Sequence, residues 1–219
     1  MTRQSKWVFL ASLARRVLVY ELRIWQSLYR WIFRRSITRG AGAVAFGYAS
    51  LLTPILIAFI AVSAIEIPVV HLLMPWETIR RVFLGLGVWG VIWMIGLLAS
   101  LRIYPHDVGE KGLRVRYSFN LDVTLPWDVV AQIRTHRRSL PSGRKVQLER
   151  LGVATTLNVA ISSTTNVEVA LRQPTPVRLP NGEHIEITAL HFYADEPRAL
   201  VSCVREYLAH NRPMATTAA

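Results

Sequence analysis

The 219-residue sequence predicts an α+β membrane protein: an N-terminal amphipathic helix, a two-helix transmembrane hairpin, and an antiparallel β domain ending in a C-terminal helix. Three observations predict it. Two runs, Ala41 to Ile65 and Val82 to Leu101, lack any charged side chain, and about 20 helical residues cross a ~30 Å hydrocarbon core. Ahead of them, residues 7–35 contain no Gly or Pro and repeat apolar side chains at helical spacing. Beyond them come short β-branched and aromatic runs separated by Gly, Pro and Asn.

In the first segment, residues 1–39, Leu10, Leu13, Val17, Tyr20, Ile24, Leu28 and Trp31 step by three and four. Arg16, Arg23, Arg30 and Arg34 fall within roughly 40° of one another on the helical wheel. This pattern suits a helix lying in the membrane interface, with Trp7, Trp25 and Trp31 at head-group level and the arginines near lipid phosphates. The alternative is a helix packed on the soluble domain or on a partner subunit, its arginines solvated. A cleaved signal peptide is not expected, because arginines interrupt the region where its apolar core should be continuous and no small-residue cleavage site follows promptly.

The hairpin is expected over residues 40–104, with spans at about 42–65 and 82–101. Pro54 falls inside the first span and predicts a kink. Ala43, Gly47 and Ser50 form a small-residue face on it, and Gly96 and Ser100 form another on the second span, where a partner or a second copy of the chain would pack closely. Glu66 closes the first span at the interface, which favours a plain interfacial role for Glu66 and His71 over a proton relay. Gly85, Gly87 and Gly90 spell G-x-G-x-x-G, but a dinucleotide site needs a strand before the motif. Helix packing explains these glycines better.

Charge is distributed unevenly. The net charge is +12, and residues 1–40 hold nine Lys/Arg against Glu21 alone. A basic segment beside apolar spans points to anionic lipids, whereas no helix-turn-helix, RNP or zinc-finger pattern supports nucleic acid. Arg30, Arg34, Arg35 and Arg39 precede the first span and Arg102, Lys111, Arg114 and Arg116 follow the second, which predicts cytoplasmic termini despite Arg80 and Arg81 between the spans. The lone Cys203 forms no internal disulfide, so the soluble part is expected in a reducing compartment. Arg and Ala usage hints at a bacterial source.

The β domain is expected over residues 105–211, with 212–219 as a disordered tail. Candidate strands are 113–119, 122–125, 129–136, 155–162, 166–171 and 184–192, the last entered through an Asn181-Gly182 turn. Asp195 as N-cap and Pro197 in the first turn open a helix carrying Leu200, Val201, Val204 and Leu208, with Cys203 as an apolar residue on it. A partly open barrel or a two-sheet sandwich fits this order.

The stretches GLRVRYSF (Gly112 to Phe119), LPWDVVAQIR (Leu125 to Arg134) and ITALHFYADEPRALVSCVREYL (Ile187 to Leu208) resemble the bacterial pleckstrin-homology-like (PH-like) domains found behind paired transmembrane helices. The resemblance covers roughly residues 80–210 and leaves out the N-terminal helix. It implies a non-enzymatic scaffold that binds partners or lipids.

Catalytic patterns do not emerge. The six histidines show no metal-ligand spacing, His191 reads as structural, and no nucleophile elbow, Walker A or kinase signature occurs, so no cofactor is expected. One basic constellation stands out: Arg134, His136, Arg137, Arg138, Arg144, Lys145 and Arg150, expected on a loop after the third strand. It would meet anionic lipid, meet an acidic partner, or simply be solvated. The expectation is an inner-membrane interaction or scaffold module without enzymatic activity, the alternative being a small accessory subunit of a transporter or enzyme complex.

Overall fold

The computed structural model describes residues 3–35, 42–141 and 143–210. The expected tail, 212–219, lies outside the described residues. The chain divides into two compact units, residues 1–36 with 55–103 and residues 37–54 with 104–219.

The first unit is helical: α1 (Arg3–Ile32), α2 (Thr53–Leu73) and α3 (Glu77–Ile103). α1 ends without glycine. Arg34 takes φ 48°, and the Arg35 N–H donates to the Arg30 carbonyl at 2.9 Å, the closing bond of a Schellman turn. α1 packs on α3 through a narrow stripe. Ile24 and Ser27 are buried, the Glu21 carboxylate accepts from Trp93 Nε1 at 3.0 Å, and a Cβ on Gly96 would lie 2.5 Å from Ile24 Cγ2. The small-residue reading of Gly96 therefore holds, with α1 as the neighbour. α2 and α3 are long and apolar enough to cross a membrane.

The first span begins later than expected. Residues 42–52 are not helical, and Val44–Phe46 form strand β1. Glycine at 42 and 47 disfavours helix there, and Gly42 sits at φ 71°. Pro54 does not kink a helix. It occupies the first turn of α2, where its missing N–H costs nothing. The helix instead absorbs Pro68 and runs on to Leu73, so Glu66 lies inside α2 and not at its end.

The second unit contains two sheets and a helix. The first sheet is the antiparallel meander of β1, β2 (His106–Gly109), β3 (Gly112–Tyr117) and β4 (Leu121–Leu125). The second is built from β5 (Val130–Ser139), β6 (Val146–Leu151), β7 (Ala154–Val159), β8 (Thr164–Arg178) and β9 (His184–Phe192), in the order β5-β8-β9-β7-β6. It is mixed where all-antiparallel was expected. β9 inserts between β7 and β8, so it lies antiparallel to β8 and parallel to β7. No ladder joins the edge strands β5 and β6, and neither sheet closes into a barrel.

β8 runs past its expected end at Leu171 through Pro174 and Pro176. Beyond Leu171 its β5 partner has ended, so that side is an edge, where proline is tolerated. The Asn181-Gly182 turn forms as expected, with Gly182 at φ 91°. Alternate residues of both sheets supply the core, including Val115 and Val123 from the first and Ile133, Val169, Leu190 and Leu157 in one register row of the second. The last helix, α4 (Pro197–His210), adds Leu200, Val201 and Val204. Each such burial contributes about 1.5–3 kcal/mol before entropy.

Asp195 does not cap α4. Its carboxylate accepts from the Ser50 N–H at 3.1 Å and from the Ser50 hydroxyl, and its own N–H donates to the Gly47 carbonyl at 2.8 Å. A Cβ on Gly47 would lie 2.7 Å from Asp195 Oδ2. Ala43, Gly47 and Ser50 are thus small because the chain enters the β unit there, not because they face another membrane helix.

Candidate functional site

The basic constellation is not a loop. Arg134, Arg137 and Arg138 lie on β5, and only Arg144 and Lys145 fall in the turn to β6. Arg134 and Arg138 are neutralised: Arg134 bonds Glu168 at 2.8 Å, and Arg138 grips Glu149 with both terminal nitrogens at 2.7 and 2.8 Å. Lys145 Nζ sits 5.6 Å from the centroid of the Tyr117 ring, a cation–π contact. Arg137 remains exposed on the strand.

Their partners define a polar row that sequence reasoning missed. Arg134, Glu168, His191, Asn158 and Gln147 are consecutive register partners across β5, β8, β9, β7 and β6. Arg138 and Glu149 come from the two edges of the same sheet, so their ion pair folds it over this row. Burial rises toward the middle: Asn158 is 1% exposed and His191 8%. Neither amide atom of Asn158, nor Thr165 Oγ1, nor His191 Nδ1 has a hydrogen-bond partner among the described residues. Burial pushes the His191 imidazole below its usual pKa, against the pull of Glu168. Burial also works to raise Glu168, but the Arg134 hydrogen bond and the His191 charge outweigh it and leave the carboxyl low.

His136 Nδ1 lies 3.3 Å and His191 Nε2 3.9 Å from Glu168 Oε2, yet no metal-binding group of three ligating side chains forms among the described residues. His191 serves this network, consistent with a structural role. The signal for the row was an alternation of polar side chains on β5, β8 and β9, legible only once the strand order places them side by side.

A second polar cluster belongs to the first sheet. His106 is 1% exposed; its Nδ1 accepts from the Arg116 backbone N–H at 3.2 Å and its Nε2–H donates to the Tyr193 carbonyl at 2.9 Å. It stacks on Tyr48 and meets the Phe192 edge, both with ring centroids 4.9 Å away. Desolvation pushes its pKa down to about 4, so the ring is neutral at pH 7. Arg116 and Asp107 pair at 2.6 Å with 2% and 8% of their side chains exposed. Cys203 is half-buried on α4 and burial raises its thiol, which fits the apolar role expected of it.

In the helical unit, Trp25, Trp31, Arg23 and Arg34 are exposed and Arg30 is half-buried. Trp7 and Arg16 belong to α1, but their side chains lie outside the described residues. α2 contributes no buried residue at all. A cavity of about 290 Å³ between α2 and α3 is lined by Ser63, Glu66, His71, Arg80, Gly87 and Gly90, among others. Glu66 stands three residues past the midpoint of α2, about 4.5 Å along its axis. The sequence pattern predicts Glu66 at the end of the span; the late start of α2 places it inside the helix. The glycine motif lies wholly within α3, and a Cβ on Gly87 would come 2.8 Å from Ile67 of α2, as helix packing requires.

No protein-family model, curated protein or solved structure matches this chain.

Proposed function

We propose that the chain is a membrane-anchored interaction module without enzymatic activity. Its hairpin sits in a bacterial inner membrane with both termini cytoplasmic, and it presents a PH-like β domain to a protein partner or to anionic lipid. The observation that carries this reading is the pairing of β1 with β2. These adjacent strands directly precede α2 and follow α3, so the β domain is rooted at both ends of the hairpin. The exposed cations Arg23 and Arg34 on the helical side and Arg137 on β5 supply charge for an acidic surface.

The test is affinity purification from mild detergent, comparing the full chain with an R23Q/R34Q/R137Q variant and identifying copurifying proteins and lipids. Equal insertion with loss of a partner or of anionic lipid is the expected result. An unchanged set of companions counts against the reading.

A second reading, a small accessory subunit of a transporter or enzyme complex, is favoured by α2. A span without one buried residue and with a mid-helix carboxyl suits a surface that another protein's helix covers, since ionisable groups at that depth usually find partners. Glu66→Leu then releases a stoichiometric partner; on the first reading it leaves copurification intact.

A further inference from the structure

Four arginines of the β unit, Arg114, Arg116, Arg134 and Arg138, lie within salt-bridge distance of a carboxylate. Arg172 and Arg205 are held differently. Arg172 Nε donates to the Val130 carbonyl at 3.1 Å, and a terminal nitrogen of Arg205 donates to the Ile133 carbonyl at 3.2 Å. Both acceptors are neutral backbone groups of β5. They fix the two guanidiniums without cancelling their charge, and a guanidinium has five N–H donors of which these bonds each use one.

The two arginines line one cleft of about 410 Å³, between β5 and the end of α4. Gln132 adds an amide, Leu208 and Ala209 add apolar wall, and no carboxylate lines it among the described residues. That volume is at the small end of ligand clefts. A pair of pre-oriented, uncompensated guanidiniums suits an anion with several acceptor oxygens and more than one charge, because each fork can engage two oxygens. A phosphate monoester carries about −1.5 to −2 at neutral pH and three free oxygens, whereas a phosphodiester carries a single charge.

We propose that the Arg172–Arg205 cleft binds the phosphate-monoester group of a small ligand, Gln132 and the Leu208–Ala209 wall contacting the esterified part. The group comes either from a soluble phosphorylated metabolite or from a lipid whose head group is a bare phosphate. This deepens the anionic-ligand arm of the proposed function and rests on it only for the lipid source. Arg172 and Arg205 lie outside the basic constellation on β5, so the two are separable.

The experiment uses the full chain in phosphatidylcholine nanodiscs. Glycerol 3-phosphate is titrated by calorimetry, and in parallel phosphatidic acid or phosphatidylglycerol is incorporated and the retained lipid measured. Saturable binding of glycerol 3-phosphate identifies a soluble source; preference for phosphatidic acid over phosphatidylglycerol identifies a lipid one. Either is weakened about tenfold or more by R172Q or R205Q, the range of one charge-assisted hydrogen bond. Since Arg205 also bonds β5, Ala209→Glu provides a second variant: it places a carboxylate at an exposed lining position, keeps both arginine contacts, and should abolish binding. The proposal is overturned if glycerol 3-phosphate does not bind and phosphatidic acid is retained no better than phosphatidylglycerol, or if A209E binds like the parent. In that event anionic lipid still lost on R23Q/R34Q/R137Q leaves the broader reading standing.

Discussion

Acidification should loosen the β unit, and His106 carries a separable share of that loss. Desolvation lowers its pKa from 6.5 to about 4, with Arg116 adding to the shift and the Tyr193 hydrogen bond and Asp195 opposing it. The unfolded chain therefore takes up a proton that the folded chain refuses, so this contribution to stability is complete above about pH 6.5 and is lost as pH falls toward 4. Across that window each pH unit costs up to about 1.4 kcal/mol, and the loss between about pH 7.5 and 5 comes to about 2 kcal/mol. With a urea dependence of about 1–3 kcal/mol per molar, the midpoint should fall by roughly 1 M. The assay is a urea titration of the chain in nanodiscs, followed by near-ultraviolet circular dichroism at both pH values. Other groups titrate too: burial also lowers His191, and Glu149 and Glu168 sit below their usual range, so each of them favours the folded state less at low pH. Comparison with His106→Gln isolates the histidine: its side chain keeps a donor and an acceptor but cannot ionise. The parent should lose about 2 kcal/mol more than the variant between the two pH values. Equal losses would refute the reasoning.

Two further perturbations bear on the same unit. Gly112→Ala should destabilise it by on the order of 3 kcal/mol, because Gly112 sits at φ 129° and an added Cβ would lie 2.2 Å from the Leu125 carbonyl oxygen; an unmoved urea midpoint would contradict the β3–β4 register. Asp107→Ala leaves the buried Arg116 guanidinium without its 2.6 Å counter-charge and should cost about 3–5 kcal/mol. The double change D107L/R116M should cost clearly less in the same titration, and equal losses would assign the effect to packing rather than charge.

What could be read from the sequence follows the range of each signal. The β3–β4 strands, the Asn181-Gly182 turn and α4 were legible because their cues are local: alternation, a positive-φ dipeptide, a periodic apolar face. β2 was too short to register, and β6 carries Glu149 and Arg150 within its alternation. The start of the first span was misplaced because apolar composition outweighed two glycines and a Thr53-Pro54 start signal. That error carried Glu66 to the interface. The Arg134–Glu168–His191–Asn158 row and the Arg172–Arg205 cleft escaped notice for a different reason. Their members are scattered in sequence, and only the insertion of β9 between β7 and β8 and the approach of α4 to β5 bring them together.

The β1–β2 pair has a consequence for how the protein is made. β1 leaves the ribosome first, yet the strand it pairs with is separated from it by the 59 residues 47–105, nearly all of them the helical hairpin. Until α2 and α3 are in place, closing a loop of that length is an entropic cost with no compensating ladder. Once α2 and α3 have paired as a hairpin, its two ends are already brought together and the same closure becomes short. Completion of the first sheet thereby depends on formation of the helical hairpin: a chain whose α2–α3 pair fails to form leaves its first strand without a partner.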